Sequence, residues 1–282
     1  MSKSPTVSFI GAGNMASAII GGMLESGFLA EDIWTSAPDD RHLQTIKQRF
    51  GVSITTDNRY CAQQADILVL AVKPQVMRQV CEDIAPLAQN TRPLVVSIAA
   101  GLEAATLDQW LGGGLPLVRV MPNTPSLVGK GAAGLYANDQ VNEQQRNSIE
   151  TIFSSIGTAL WVEQESLLHA VTGLSGSGPA YFFLMLEALE DAATDAGIEA
   201  ATARTLAIQT MAGAAEMAAR SDYDPAQLKR NVMSPGGTTE QAINTFEQGG
   251  MRDLVGSAYR SAVTRSKEMS KELASADTAG PQ

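Results

Sequence analysis

Two stretches of this 282-residue chain set glycines beside short polar side chains at spacings that suit anions. The first, Gly11-Ala12-Gly13-Asn14-Met15-Ala16, follows the apolar run Val7 to Ile10 and precedes an apolar helical pattern through Ile19, Ile20, Met23 and Leu24. Strand, G-x-G-x-x-A turn and helix, in that order, is the context in which a dinucleotide pyrophosphate meets a helix N-terminus. Gly11 permits the tight turn, Gly13 lets the backbone approach a phosphate, and Ala16 keeps the helix close to its strand. The free N–H groups of the first helical turn supply partial positive charge. The second stretch, Ser234-Pro-Gly-Gly-Thr-Thr239, also runs into a helix. Successive N–H groups of Gly236, Gly237 and Thr238 form an anion nest there, and the hydroxyls of Ser234, Thr238 and Thr239 add short donors. A third glycine-rich turn, within Thr172 to Tyr181, places Pro179 at the first position of another helix.

The residue types that are scarce narrow the chemistry. The chain has two histidines, His42 and His169. His42 falls in the helix after the second strand and is expected to be exposed; His169 lies among Leu167, Leu168 and Val171 and reads as packed. No His-Asp or Lys-Asn helical motif for taking a proton from an alcohol is visible, and no metal-ligand cluster. Hydride transfer to a C=N bond fits this inventory. A protonated imine is already electrophilic, so orientation of a substrate carboxylate against a nicotinamide supplies most of the rate.

These residues must be positioned by elements that alternate. Strands are expected at Val7–Ile10, Ile33–Ser36, Val52–Ile54, Asp66–Val72, Leu94–Ile98, Leu117–Val120, Gly131–Ala137 and Thr158–Val162, with helices between most of them. That alternation predicts an α/β domain of the Rossmann type, a doubly wound parallel sheet, over residues 1–164. The continuous apolar run Asp66 to Val72 reads as a strand buried on both faces. From residue 165 to 282 no strand-like run remains, and Ala-rich helical segments predict an all-helical substrate-binding and dimerisation domain. The helix from Pro179 to Ala196 carries Tyr181 to Leu186 in one apolar run and is expected to lie buried at the centre. Small residues over Ala200 to Arg220 let helices approach closely, which suits an interlocked homodimer. Ala274 to Gln282 reads as a frayed tail.

At the end of the second strand an NAD site usually carries an Asp or Glu for the ribose hydroxyls. Here the chain reads Thr35-Ser36-Ala37-Pro38, and Asp39 and Asp40 suit helix capping. The missing carboxylate, with the Ser36 hydroxyl and Arg41 nearby, favours NADP(H), with NAD(H) possible.

With 20 Lys and Arg against 30 Asp and Glu, the net charge of −10 and pI near 4.7 argue against a nucleic-acid partner. The longest apolar run, Ile67 to Val72, is too short to span a membrane. Met1 leads almost directly into the first strand, which leaves no room for a signal peptide and makes the cytoplasm the expected compartment. Cys61 and Cys81 read as buried reduced thiols.

The chain resembles the pyrroline-5-carboxylate reductase family. The resemblance rests on Phe9-Ile-Gly-Ala-Gly-Asn-Met-Ala16, Ala71-Val-Lys-Pro74, Val96-Ser-Ile-Ala-Ala-Gly101, Met121-Pro-Asn-Thr-Pro125, Gly173 to Tyr181 and Leu228 to Thr239, collinear from residue 7 to about 270. It implies NAD(P)H-dependent reduction of 1-pyrroline-5-carboxylate to L-proline, the last step of proline biosynthesis, by homodimers that assemble into larger rings such as a decamer. By the same resemblance Gly11, Ala12, Gly13, Asn14, Met15 and Ala16 hold the pyrophosphate, and Ser36, Ala37 and Asn58 lie on the adenosine side. Val72, Lys73, Pro74, Ala99 and Ala100 lie near the nicotinamide ribose, and Pro122 and Asn123 beside the nicotinamide. Ser175, Asn231, Ser234, Gly236, Gly237, Thr238 and Thr239 form the substrate set, with Ser234 and Thr239 catalytic and the Thr239 hydroxyl placed to bond the imine nitrogen. Where other members often place Ser, this chain has Ala37. A β-hydroxyacid dehydrogenase of similar architecture would need a Lys where Phe182 stands, and no Lys occurs between Lys130 and Lys229. A regulatory nucleotide sensor would have no need of Ser234 to Thr239. A six-membered cyclic imine differs by one methylene, worth only ~1–3 kcal/mol in a pocket.

Overall fold

The computed structural model describes residues 4–276. Strands β1 (Val7–Ile10), β2 (Ile33–Ser36), β3 (Ser53–Thr55), β4 (Ile67–Leu70), β5 (Leu94–Ser97), β6 (Leu117–Met121), β7 (Gly131–Ala137) and β8 (Gly157–Trp161) form one sheet in the order β3-β2-β1-β4-β5-β6-β7-β8. β1 pairs in parallel with β2 on one side and β4 on the other, Val7 lying opposite both Ile33 and Ile67. Helices α1 (Asn14–Glu25), α2 (Asp40–Phe50), α3 (Asn58–Gln63), α4 (Pro74–Thr91), α5 (Ala104–Trp110) and α6 (Glu143–Ser154) connect the strands.

The expected parallel sheet holds from β3 through β6, and β7 then enters antiparallel to β6, with β8 parallel to β7. The reason is the length of the connection. Only Pro122 to Lys130 joins β6 to β7, a single 3₁₀ turn at Thr124–Val128, and a parallel crossover needs a dozen or more residues.

Adjacent residues of the central strands feed opposite faces, as a period of two requires. Phe9, Val69 and Val96 pack with Ile19, Ile20, Met23 and Phe153; Ile10, Leu70 and Val95 pack with Met77, Ile84 and Leu107. Cys61 and Cys81 are unpaired and buried in the second of these clusters, and burial pushes both thiols up to about 12.

By compactness the described residues form two units, 4–177 with 262–276, and 178–261. The change of character expected at residue 164 and this division differ because α7 (Leu167–Val171) and the π-helical turn Thr172–Gly176 pack on the sheet. Gly134 of β7 leaves room for Val171, where a Cβ would stand 2.7 Å from its Cγ1. Glu165 receives Arg119 Nη1 at 2.7 Å and the Ala104 N–H at 2.6 Å. The last helix, α12 (Met251–Ala276), returns to the first unit from Ala262 onward, where Ser266 meets His169 Nδ1 at 2.9 Å and Ser270 meets Glu103 Oε1 at 3.4 Å. Residues 274–276, expected to be frayed, end this helix; the rest of the expected tail lies outside the described residues.

The second unit is helical: α8 (Gly178–Asp195), α9 (Ala200–Arg220), α10 (Pro225–Val232), α11 (Thr238–Gln248) and the first part of α12. It corrects one expectation. α8 is not buried within the chain: Phe182, Phe183 and Leu184 are 61%, 64% and 65% exposed. Among residues 178–261 only Gly178 and Ala203 are buried, so these helices have no core of their own to cover. Among the described residues no helix is long and apolar enough to cross a membrane.

Within the first unit the Arg119–Glu165 pair ties β6 to the segment leading into α7, with Arg119 7% and Glu165 24% exposed and Arg119 Nε lacking any partner. Glu165→Ala strands a buried guanidinium and is expected to lower stability by ~3 kcal/mol in urea unfolding, with Glu165→Gln, which keeps an acceptor, losing less. Equal midpoints for wild type and Glu165→Ala would contradict this.

Candidate active site

The carboxyl ends of the parallel strands gather the nucleotide-side candidates. β1 opens into Gly11, β2 ends at Ser36 and Ala37, β4 runs into Val72-Lys73-Pro74, β5 into Ala99 and Ala100, and β6 into Pro122 and Asn123. β1 lies between β2 and β4, where the strand order reverses direction, the point at which α/β sheets leave a crevice for ligands.

The glycine turn has the shape a pyrophosphate requires. Gly11 has φ +108°, and a Cβ there would stand 2.6 Å from the Ala71 carbonyl oxygen, so only glycine passes this close to the chain leaving β4. Gly13 has the opposite surroundings, with no atom within 4 Å of a Cβ, and both it and Asn14 are exposed. Gly13 is the N-cap of α1, no side chain caps the helix, and no acidic residue occupies its first turn. The first-turn N–H groups therefore face an open cradle that a side chain would fill, and the residues present fit a dinucleotide phosphate.

At the end of β2 the Ser36 hydroxyl is fully buried and donates to Asn58 Oδ1 at 2.8 Å. That bond orients the Asn58 amide and engages the hydroxyl proton that the sequence offered to a 2′-phosphate. Asp39 caps α2, accepting from the Arg41 and His42 N–H groups, while Ala37 is half-buried. His42 is exposed as expected, yet its Nε2 lies 2.7 Å from the Ala12 carbonyl oxygen, a contact without a signature in the sequence.

Lys73 is exposed and forms the N-cap of α4, with Pro74 at the first helical position. Asn123 is 8% exposed and both ends of its amide are engaged: Nδ2 donates to Ser175 O at 2.9 Å and Oδ1 accepts from Ala132 N at 2.9 Å. It is a clamp that holds the π-helical turn against the end of β6. Ser175 donates its own hydroxyl to Val171 O at 3.2 Å. His169 is packed, and burial, then Arg119 and Lys267, lower its pKa.

Asn231 and the Ser234–Thr239 stretch belong to the second unit. Asn231 Oδ1 accepts from Gln227 on the same helix at 2.7 Å. Gly236 adopts φ +72°, which turns the chain into α11. Two members of the expected nest are engaged within the chain: Gly236 N–H donates to Glu240 Oε2 at 2.7 Å and Gly237 N–H to Ser234 O at 2.9 Å. Thr238 and Thr239 open α11, whose N-terminus has no side-chain cap, so their N–H groups are the donors left for an anion.

Comparison with known proteins bears on both units. A family model described as NADP oxidoreductase, coenzyme F420-dependent, matches residues 6–101, and one described as pyrroline-5-carboxylate reductase dimerisation matches residues 165–269. A Pseudomonas aeruginosa protein named pyrroline-5-carboxylate reductase is 45% identical over 271 residues, 96% of this chain and 99% of its own. The chain belongs to the pyrroline-5-carboxylate reductase family. A Methanosarcina acetivorans member is 40% identical over 96% of this chain and 98% of its own. Among solved structures, a pyrroline-5-carboxylate reductase from Coxiella burnetii superposes with a TM-score of 0.92 at 42% identity, covering 95% of this chain and 99% of its own. The Plasmodium falciparum pyrroline carboxylate reductase, solved with NADP bound, superposes with a TM-score of 0.84 at 32% identity, covering 95% and 98%. A nicotinamide dinucleotide is thus the cofactor class, and the helical part is a dimerisation region.

Contrasting glycine variants test the cradle. Gly13→Val is expected to leave the melting temperature nearly unchanged and to abolish dinucleotide binding. Gly11→Val, which meets the Ala71 backbone, is expected to destabilise the fold itself. Fluorescence titration with NADPH beside thermal unfolding checks both, and undiminished NADPH affinity in Gly13→Val would refute the cradle.

Proposed function

We propose that this chain catalyses the NAD(P)H-dependent reduction of the C=N bond of 1-pyrroline-5-carboxylate to L-proline, the last step of proline biosynthesis, as a cytoplasmic homodimer that assembles further into a decamer. The observation that carries this reading is the family match across 96% of the chain in a molecule that keeps both anion sites, Gly11 to Ala16 and Ser234 to Thr239.

The dinucleotide, when bound, supplies the hydride. Gly11 to Ala16 hold its pyrophosphate, Ala37 and Asn58 take the adenosine side, and Val72, Lys73, Pro74, Ala99, Ala100, Pro122 and Asn123 surround the nicotinamide half. NADP(H) is the preferred form, since no carboxylate at the end of β2 opposes a 2′-phosphate. Ser175, Asn231 and Ser234 to Thr239 take the substrate. A carboxylate needs local donors in a chain of net charge −10, and the start of α11, where Glu240 already takes the Gly236 N–H, offers the N–H groups of Thr238 and Thr239. Ser234 and the Thr239 hydroxyl then hold the imine nitrogen in its protonated form, which lowers the barrier to attack at carbon.

Association follows from the second unit. Residues 178–261 expose Phe182, Phe183, Leu184, Leu206, Ile208, Leu254 and Val255, more apolar surface than a monomer leaves in water. A second copy of the same helices covers it. We assign residues 165–282 to substrate binding and dimerisation on this ground, and residues 1–164 to the dinucleotide.

The test is oxidation of NADPH and NADH with 1-pyrroline-5-carboxylate, run beside piperideine-2-carboxylate. Turnover of the five-membered imine supports the assignment; turnover of only the six-membered ring moves the substrate and keeps the reaction type. Thr239→Ala is expected to lower kcat about 100-fold with little change in NADPH affinity, and Thr239→Ser to retain most activity. An unchanged kcat in Thr239→Ala removes the role given to its hydroxyl. For the assembly, Phe183→Glu is expected to shift sedimentation toward smaller species; an unaltered distribution contradicts the apolar contact.

A further inference from the structure

With the Ser36 hydroxyl donating to Asn58 Oδ1, one donor that the sequence offered for a 2′-phosphate is turned inward. The structure supplies another. His42, in the first turns of α2, reaches across to the turn after β1 and bonds the Ala12 carbonyl at 2.7 Å. The two segments it joins, the glycine turn and the start of α2, flank the end of β2 where an adenosine ribose lies in this fold. A carbonyl oxygen only accepts, so Nε2 carries the hydrogen, and Nδ1 has no hydrogen-bond partner among the described residues. Any bond from Nδ1 to a phosphate oxygen then requires the second proton, and the form that meets phosphate is the imidazolium, a charge-assisted donor. The charged groups of its own first turn are Asp39, Asp40 and Arg41; the glycine turn contributes none. Asp39 is occupied as the helix cap.

We propose that His42 determines which dinucleotide this chain prefers, its ring fixed on Ala12 and its second nitrogen donating to the adenosine 2′-phosphate. This rests on the dinucleotide reading above and goes beyond it by naming the discriminating side chain. Arg41 stands beside it with a guanidinium that also suits phosphate, whereas the His42 ring already has its orientation set by Ala12.

Two variants separate this role from a merely structural one. Glutamine places an amide N–H where Nε2 stands and so keeps the bond to Ala12 without the second donor; alanine loses both. Dissociation constants for NADPH and NADH, measured by fluorescence titration of the full-length protein without substrate, are the readout. His42→Gln is expected to weaken NADPH about tenfold and NADH less than twofold, in line with loss of one charge-assisted bond. His42→Ala is expected to weaken NADPH at least as much and NADH somewhat, because the turn loses its tie. Equal effects of His42→Gln on both dinucleotides, or none on either, overturn the proposal while leaving the dinucleotide site intact. Failure of the wild type to bind either dinucleotide overturns the broader reading instead.

Discussion

The crevice of this molecule depends on one close approach. The chain leaves β1 through Gly11 so near the Ala71 backbone that a single methyl group would stand 2.6 Å from its carbonyl oxygen. That approach lets β1 and β4 hydrogen-bond along their full length, Val7 to Ile10 against Ile67 to Leu70, and still diverge immediately afterwards. α1 departs toward one face of the sheet and α4 toward the other, and the gap between their starts is where phosphate can enter. Ala16, 1% exposed, holds α1 against the strand and fixes the direction of its N-terminus. Everything placed at the carboxyl edge, from Asn58 on one side to Asn123 on the other, takes its position from that divergence.

A second constraint is the shortage of core in residues 178–261. Helices without a buried face are held by propensity, and propensity alone leaves helices of this length marginal in water. Here α8 spends its aromatic run on solvent within a single chain, and α9 buries only Ala203. The dimerisation family model that matches residues 165–269 accounts for this exposure, since association would cover the apolar area that these helices leave open.

Much of this was legible in the sequence. The strands were readable because alternation and β-branched runs are local, and the caps because Asp39, Gly51 and Pro74 act within a turn of where they stand. The reversal at β7 was not, since strand direction depends on connection length weighed against partners far away in the chain. The centrality expected of α8 failed for a related reason. An apolar helix announces that it is buried, not against which chain. The clamps were invisible altogether: Asn123 to Ser175 spans 52 residues and His169 to Ser266 spans 97, and no spacing rule connects such partners. Local backbone geometry was legible, as at Gly13, the N-cap of α1, whereas the inward bond of the Ser36 hydroxyl to Asn58 was not.

That last contrast explains why cofactor preference is harder to read than cofactor class. The pyrophosphate is common to both dinucleotides and is met by backbone, so its signature survives in glycine spacing. A 2′-phosphate would be met by side chains beyond β2, and several of the polar groups there have a competing partner within the protein. Ser36 takes Asn58, Asp39 takes the N–H groups of Arg41 and His42, and His42 divides its two nitrogens between Ala12 and whatever lies outside. A hydroxyl, a carboxylate and a ring at adjacent positions give nearly the same text whichever way each one turns. The preference therefore belongs to the hydrogen-bond pattern rather than to the residue types, and the ring held on Ala12 keeps its second nitrogen without a partner among the described residues.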